Sequence, residues 1–441
     1  MNIKYIDNKT VINLDTNKRF VLDDIGKKFI DIFLDEDNTE MLIERMAKEY
    51  NIDVAIIKKD FNEFISKIEI QRDFSIGELP YSDYMVLEPT NECSGNCLHC
   101  FQRYEKKYSW DKGQIDSYID YLKKNNIRYI SLTGGEVLSP HYIENTKYIV
   151  KTLKKNNIQI VTISTNGMFI TEDIMNWLDQ QLDLSKITFR ISLDSINEEK
   201  IKMLRPGYKN KYNNILWDII EKFNCNVVVT TIIYQQSAKE IVDIEGFLKS
   251  KKNVKKWILK PLIPTKESHN YLKSNFKNLS EIYIEVLNYF KNNKEDIRYD
   301  FSIGNVISKN MLLYPEMIQK YYGFMHPCKD EKNQKTLKSS GEITRCPILS
   351  EIDSKYMIDL SDFNDINNNL FYDLELSQMN CSKCKYMKLC GGGCRAYAIA
   401  YKQGIYGCDI NSKQMWKWIF SDGYIKNEWT KFFYTLKKIL E

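Results

Sequence analysis

Cys93, Cys97 and Cys100 stand in a C-x3-C-x2-C spacing within EPTNECSGNCLHCF, residues 88–101, directly after the apolar segment Tyr84 to Leu87. Three close thiolates can hold three corners of a 4Fe-4S cubane. Such a cluster takes four ligands, so one iron is left for something that is not protein. Zinc is the rival, but it prefers four closed ligands and paired C-x2-C knuckles, and His99 is flanked too tightly by Cys97 and Cys100 to serve as the fourth. A second group runs Cys328, then Gly341 and four residues to Cys346, then Cys381-x2-Cys384-x5-Cys390-x3-Cys394, then Cys408. Its C-x2-C pairs taken alone read as zinc sites. Iron-sulfur chemistry accounts for both groups, zinc only for the second. The eleventh cysteine, Cys225, opens the apolar run VVVTTII and reads as an inert core thiol.

The elements that would position these thiols follow from hydrophobic periodicity. From Tyr84 to about Leu262, short apolar runs (YMVL, YISLT, IQIVTIS, ITFRISLD, NVVVTTIIY, WILKPL) alternate with amphipathic segments near 111–125, 140–155, 171–182, 212–224 and 238–251. Six such units predict an α/β fold, a parallel sheet wrapped by helices. Parallel sheets carry their sites at the C-terminal ends of the strands. At those ends stand Thr133-Gly134-Gly135-Glu136, Ser164-Thr165-Asn166-Gly167 and Ser192-Leu193-Asp194-Ser195, with Arg205 shortly after. Paired glycines let backbone approach a ligand closely, and a carboxylate can accept from an ammonium. Each motif alone is an ordinary turn.

The flanks are of a different kind. Residues 1–75 read as three short strands (IKYID, VINLD, RFVL) and three helices: one capped at Asp23 or Asp24 with Ile25, Phe29, Ile32 and Phe33 on one face, one after Asn38-Thr39 with Met41, Leu42, Met46 and Ala47, and one from about Asp53 to Ile70 with Ile56, Ile57, Phe61, Phe64, Ile65 and Ile68. That order is a winged-helix pattern. DNA binding is its ordinary use, yet the segment holds 12 Lys and Arg against 16 Asp and Glu, so it lacks charge to neutralise phosphates. Over the whole chain 63 basic residues meet 59 acidic ones, a balance that implies neither nucleic acid nor an anionic membrane as partner. No apolar run approaches the ~20 residues of a membrane span, and the N-terminus has no signal-peptide core, so the expected location is the cytoplasm. There eleven cysteines call for metal or redox chemistry rather than disulfides. Residues 266–325 carry a helix near 280–294, a strand near 299–307 and Tyr321-Tyr322-Gly323-Phe324, a bridging region. The aromatic tail 412–441, with Trp416, Trp418, Phe420, Trp429, Phe432 and Phe433, reads as a packing helix.

Taken in order, C-x3-C-x2-C with His99 before its last cysteine, then GGE, STNG, SLDS and Arg205, resemble the radical S-adenosylmethionine (SAM) superfamily. The resemblance implies a partial (β/α)6 barrel over 82–265 whose open iron chelates SAM. It further implies that Gly134, Gly135 and Glu136 hold the SAM ammonium, that Ser192 and Arg205 hold its carboxylate, that Ser164, Asn166 and Asp194 face the ribose, and that His99 and Leu259 wall the adenine. Residues 326–411 are similar to the SPASM domain, which implies two auxiliary 4Fe-4S clusters and three in all. Cys381, Cys384, Cys390 and Cys408 would enclose the distal one, and Cys328, Cys346 and Cys394 the proximal one. Residues 1–75 resemble the RiPP recognition element, a PqqD-like winged helix that takes the leader of a ribosomal precursor peptide as an added strand. A flavodoxin- or ferredoxin-type electron donor is the further partner implied.

The chain departs from the sulfatase-maturing branch of that family. Tyr321, Tyr322 and Gly323 stand where those relatives have a further cysteine, and Pro347 stands where they have an acidic residue after the G-x4-C cysteine. The proximal cluster is then open at one iron, or closed by His326, Asp330 or water. An open iron can bind a substrate thiolate and lower its pKa. The expected function is a radical SAM peptide maturase that forms a thioether from a cysteine to a carbon of a precursor peptide. Carbon-carbon crosslinking and epimerisation are alternatives within the class. Outside it stand an enzyme acting on a folded protein or small molecule, and an iron-sulfur sensor reading DNA.

Overall fold

The computed structural model describes residues 3–7, 10–13, 18–22, 24–35, 38–70, 83–102, 106–208, 212–263, 281–304, 307–309, 312, 335–352, 357, 359, 374, 376–384 and 386–421. They form two compact units that divide after Ser82. Among the described residues no helix is long and apolar enough to cross a membrane.

In the first unit β1 (Ile3–Asp7), β2 (Thr10–Asn13) and β3 (Lys18–Val21) make an antiparallel sheet in that order, followed by α1 (Asp24–Leu34), α2 (Thr39–Tyr50) and α3 (Val54–Ile70). The three helices meet on Phe29, Ile32, Ile43, Met46, Ala47, Ile57 and Phe61, and Phe29 packs edge-on against Phe61 at 5.7 Å. Ile30 turns instead toward Val11 and Leu22. Because α1 must serve both groups, its buried stripe shifts, and Ile25, expected in the core, is 46% exposed. Met41 and Ile56 are exposed as well.

The second unit is built on β4 (Tyr84–Leu87), β5 (Tyr129–Leu132), β6 (Gln159–Thr165), β7 (Thr188–Ser192), β8 (Asn226–Ile233) and β9 (Val254–Pro261), each parallel to the next. Between them lie α4 (Lys112–Lys124), α5 (Ile143–Lys155), α6 (Glu172–Gln181), α7 (Glu198–Leu204), α8 (Tyr212–Lys222) and α9 (Ala238–Lys249). Local chemistry sets these boundaries. Capping boxes start α4 at Asp111 with Gln114 and α9 at Ser237 with Glu240. The repeated LKKNNI ends α4 and α5 alike: Asn126 and Asn157 take left-handed backbone (φ 55° and 56°), and Ile127 and Ile158 donate back to the carbonyls of Leu122 and Leu153. Asparagine tolerates that conformation, so each helix closes in a Schellman turn and feeds the next strand.

Since neighbours in the sheet are neighbours in sequence, the crossovers wind one way and lay the helices on one face. On that face Met85, Leu87, Ile130, Leu132, Phe189, Ile191, Val227, Val229, Trp257 and Leu259 share one core with Ile115, Ile119, Leu153, Met175, Leu178, Trp217, Ile244 and Leu248 of the helices. Burial of each large apolar side chain contributes roughly 1.5–3 kcal/mol. The pleat turns alternate residues inward. Register places Ser131 beside Thr162, Ser164 beside Arg190, and Ser192 beside Thr230 and then Ile258 on that inner face. The sheet is therefore apolar toward its helices and largely polar within.

It also runs on past the six expected units. β10 (Asp300–Ile303) adds parallel to β9 and turns back as β11 (Ile307–Ser308), while β12 (Thr336–Leu337) adds parallel to β4 and turns back as β13 (Ile343–Thr344). The single strand expected near 299–307 is thus a hairpin, broken at Gly304 with φ +60°. The tail helix Ile410–Ser421 packs Met415, Trp416, Trp418 and Ile419 into the main core. Residues 422–441, with Trp429, Phe432 and Phe433, lie outside the described residues, as do Tyr321 to Phe324, His326, Cys328 and Asp330.

Candidate functional site

The loop that carries Cys93, Cys97 and Cys100 leaves the C-terminal end of β4 and is held from two sides by backbone. On one side the N–H groups of Gly135 and Glu136 donate to the carbonyls of Thr90 and Glu92, both at 2.8 Å. A Cβ on Gly134 would lie 2.1 Å from the Thr90 oxygen, and one on Gly135 would lie 2.0 Å from that of Glu92. The glycine pair is required by this approach to the chain's own loop. On the other side Leu98 donates to Leu204 and Gly207 to Gly95, so close that a Cβ on Gly207 would fall 1.7 Å from the Ser94 oxygen.

Cys93 is exposed, Cys100 half-buried and Cys97 buried. A Cβ on Gly95 would sit 3.4 Å from both the Cys93 and the Cys97 sulfur, so these two thiols are neighbours. Gly95 N–H and Asn166 Nδ2 point at Cys93 Sγ at 3.3 and 3.8 Å, donors that stabilise a thiolate. Burial raises the metal-free thiols, Cys97 to about 12. Among the described residues no three His, Cys, Asp or Glu side chains share a point as one ion would need. A four-iron cluster asks less, because each thiolate takes a different iron.

Around the loop the expected SAM contacts fall into distinct groups. Glu136 is wholly buried and accepts from Leu138 N–H (3.0 Å), Thr165 Oγ1 (2.9 Å) and Asn166 N–H (2.7 Å), which ties the end of β5 to that of β6. Burial pushes its pKa up to about 7. Asn166 in turn accepts from Met168 N–H at 2.8 Å and from the Tyr208 hydroxyl at its carbonyl. Asp194 receives Nε and an Nη of Arg205 on Oδ2 and Ile232 N–H on Oδ1. Burial opposes its charge, yet Arg205 holds its carboxyl below the usual range. His99 Nε2 lies 3.4 Å from the same Asp194 oxygen, and its Nδ1 is buried without a hydrogen-bond partner. Burial lowers the imidazole to about 4, so it is neutral. With Nε2–H toward Asp194, Nδ1 offers a lone pair, which suits the amino group of an adenine. Ser164 and Ser192 are half-buried on the inner face. Leu259 is a correction: it shares the outer face with Trp257 in the helix-covered core, and the half-buried Ile258 and Lys260 face inward in its place.

Sequence reasoning missed two inner groups. Lys338, next to β12, lies between the carboxylates of Glu88 (3.0 Å) and Glu351 and ties the C-terminal part of the chain to the root of the cysteine loop. Arg190 stands beside Ser164 on the inner face with Nε buried and unbonded. The alternation in ITFRIS could have placed it there.

The C-terminal thiols gather in two places. Cys381 and Cys384 flank one turn and act electrostatically on Cys408, while Cys346 and Cys394 border the small apolar cluster of Leu349, Leu374 and Ala396. Between Cys390 and Cys394 come three consecutive glycines at φ 60°, 76° and 71°, a path that needs glycine.

Residues 87–248 match the family described as the Radical SAM superfamily. The chain carries a radical SAM domain. Among known relatives, an uncharacterized protein of Methanocaldococcus jannaschii is 29% identical over 45% of this chain and 69% of its own length. Three further relatives are matched over only 25 to 42% of their length. Among solved structures, Streptococcus suis SuiB bound to SAM superposes with TM-score 0.55 at 17% identity, over 92% of this chain and 98% of its own, and SuiB bound to precursor peptide SuiA with TM-score 0.56. The structure of native anSMEcpe with bound AdoMet and Cp18Cys peptide gives 0.57 at 16% identity, over 81% of this chain and 98% of its own. The radical SAM domain thus sits in a fold shared along most of the chain.

Proposed function

We propose that this radical SAM enzyme matures a ribosomally synthesised precursor peptide. Residues 1–75 would act as a winged-helix recognition element for the leader, and the C-terminal cysteines as a SPASM domain with two auxiliary clusters. The observation that carries the reading is the extent of the fold likeness, 92% of the chain and not the barrel alone, to a protein that has been solved with a precursor peptide. The chain's own features agree. β1 and β3 are the edges of the N-terminal sheet, and a sheet edge can take an extended peptide as a further strand.

Cys93, Cys97 and Cys100 would hold the SAM-binding 4Fe-4S cluster. Reduced and with SAM bound, it supplies a 5'-deoxyadenosyl radical that can remove hydrogen from an unactivated carbon. The protein's task is placement and the exclusion of water. His99 would receive the adenine amino group at Nδ1. Arg205, with N–H groups left over from Asp194 and Tyr208, would take the SAM carboxylate with Ser192, and Glu136 would face the ammonium. Asp194 and Asn166 serve these groups by fixing Arg205 and the β6 turn. The product we favour is a thioether from a substrate cysteine, because the sequence supplies one cysteine too few to close the proximal cluster.

Anaerobic incubation of the full chain with SAM, reductant and each short peptide encoded in its genomic neighbourhood, followed by mass spectrometry, tests this. A thioether removes two hydrogens and leaves the cysteine resistant to alkylation. Two hydrogens lost with the cysteine still reactive would move the product to a carbon-carbon bond, and one deuterium gained from water without other change would mean epimerisation. All of these peptides left untouched while SAM is consumed would sink the maturase reading.

A further inference from the structure

Arg395 follows Cys394 directly, opens the helix Arg395–Ala400 and is wholly buried. Its guanidinium donates to the carbonyls of Ile405 (2.8 Å), Gly407 (2.6 Å) and Gly392, and Nε has no partner. No described carboxylate pairs with it. Asp409, which accepts from the neighbouring Cys394 N–H, spends both oxygens on that group, Asn411 N–H and the N–H and hydroxyl of Ser412. Arginine does not shed its proton, and a buried charge without an opposite one is strongly unfavourable. All three carbonyls belong to cysteine-bearing segments: Gly392 lies between Cys390 and Cys394, and Ile405 and Gly407 lead into Cys408. Its charge also acts on Cys381. Among the described residues, the groups that can supply the missing negative charge are these cysteines and what they hold.

We propose that Arg395 is the internal counterion of an iron-sulfur cluster held by the C-terminal cysteines, and that it raises the reduction potential of that cluster. This rests on the auxiliary-cluster reading above. A cluster carried by four thiolates is anionic and gains one further negative charge when reduced, so a fixed cation beside it favours the reduced form. Arg395 acts here as a positioning and tuning group.

The test is a redox titration, followed by electron paramagnetic resonance, of the full chain with Cys93, Cys97 and Cys100 all changed to alanine, so that only C-terminal clusters remain. Arg395→Gln should lower one midpoint potential by at least 59 mV, a tenfold shift for a one-electron couple. Arg395→Lys keeps the charge but loses the forked grip, and should stay within that margin of the parent. A pure clamp would fail alike in both variants. An unchanged potential in Arg395→Gln with full iron content overturns the proposal, as does equal iron loss in both variants. Iron retained in Arg395→Lys but lost in Arg395→Gln supports it. If the cysteine-triple variant binds no iron at all, the auxiliary-cluster reading itself falls first.

Discussion

Beside Cys93, Cys97 and Cys100 the buried guanidinium of Arg205 is answered by Asp194, whereas beside the C-terminal cysteines that of Arg395 is answered, among the described residues, by carbonyl oxygens. The first loop is also clamped by backbone hydrogen bonds from two glycine-containing turns, so protein alone can hold its shape. On the proposal above, the second region would close its charge balance with what its thiols bind. On the proposed function, the first site would be preorganised for a cofactor that comes and goes, and the second would be built around a resident group.

The sharpest way to break this contrast is to remove one thiol from each side. Cys97→Ala should abolish SAM cleavage, measured as deoxyadenosine released under reducing conditions. Cys346→Ala should leave cleavage largely intact and stop product formation. Normal product from Cys346→Ala would remove the role given to the proximal cluster, and loss of cleavage in both would mean that the regions do not work separately.

A smaller effect isolates the internal pairing. Asp194→Asn leaves Arg205 buried and opposite a neutral group, and breaking a buried pair from one side costs about 3–5 kcal/mol. Chemical denaturation of the metal-free chain at neutral pH should show a loss of that size for the second unit. A loss below about 1 kcal/mol, the value of an exposed pair, would mean that Asp194 does not hold Arg205 in place.

How far these features were legible in the sequence depends on the distance over which each is decided. The six strands, their helices and the thiol spacing follow from periods of two and 3.6 and from local turn chemistry, and they stand where expected. The glycines of TGGE signalled a close approach, but sequence could not say to what. It is the backbone of Thr90 and Glu92. The Asp194–Arg205 pair spans a strand end and a helix end, which only the fold brings together. Leu259 was legible and misread: in Trp257-Ile258-Leu259-Lys260 it alternates with Lys260 and keeps company with Trp257, the signature of the helix-covered face. Gly304-Asn305 likewise carries a hairpin signal inside what looked like one strand.

The smallest expected effect concerns Glu136, a buried acid of the first site whose described hydrogen-bond partners are all neutral donors. Burial raises its pKa from the ordinary 4.5 to about 7. Between those values the folded chain holds a proton that the unfolded chain has released, so the stability of the metal-free protein should fall as pH rises from about 4.5 to 7 and level off above. A SAM ammonium placed against this carboxylate reverses the preference, because only the ionised form pairs with it. Binding then expels the proton below pH 7. In the reconstituted enzyme SAM affinity, read by anaerobic equilibrium dialysis, should therefore rise with pH toward 7 by at most about tenfold per unit and flatten beyond. An affinity that stays flat from pH 6 to 8 would place the ammonium elsewhere and leave Glu136 as a tie between two turns, which its three hydrogen bonds already make it.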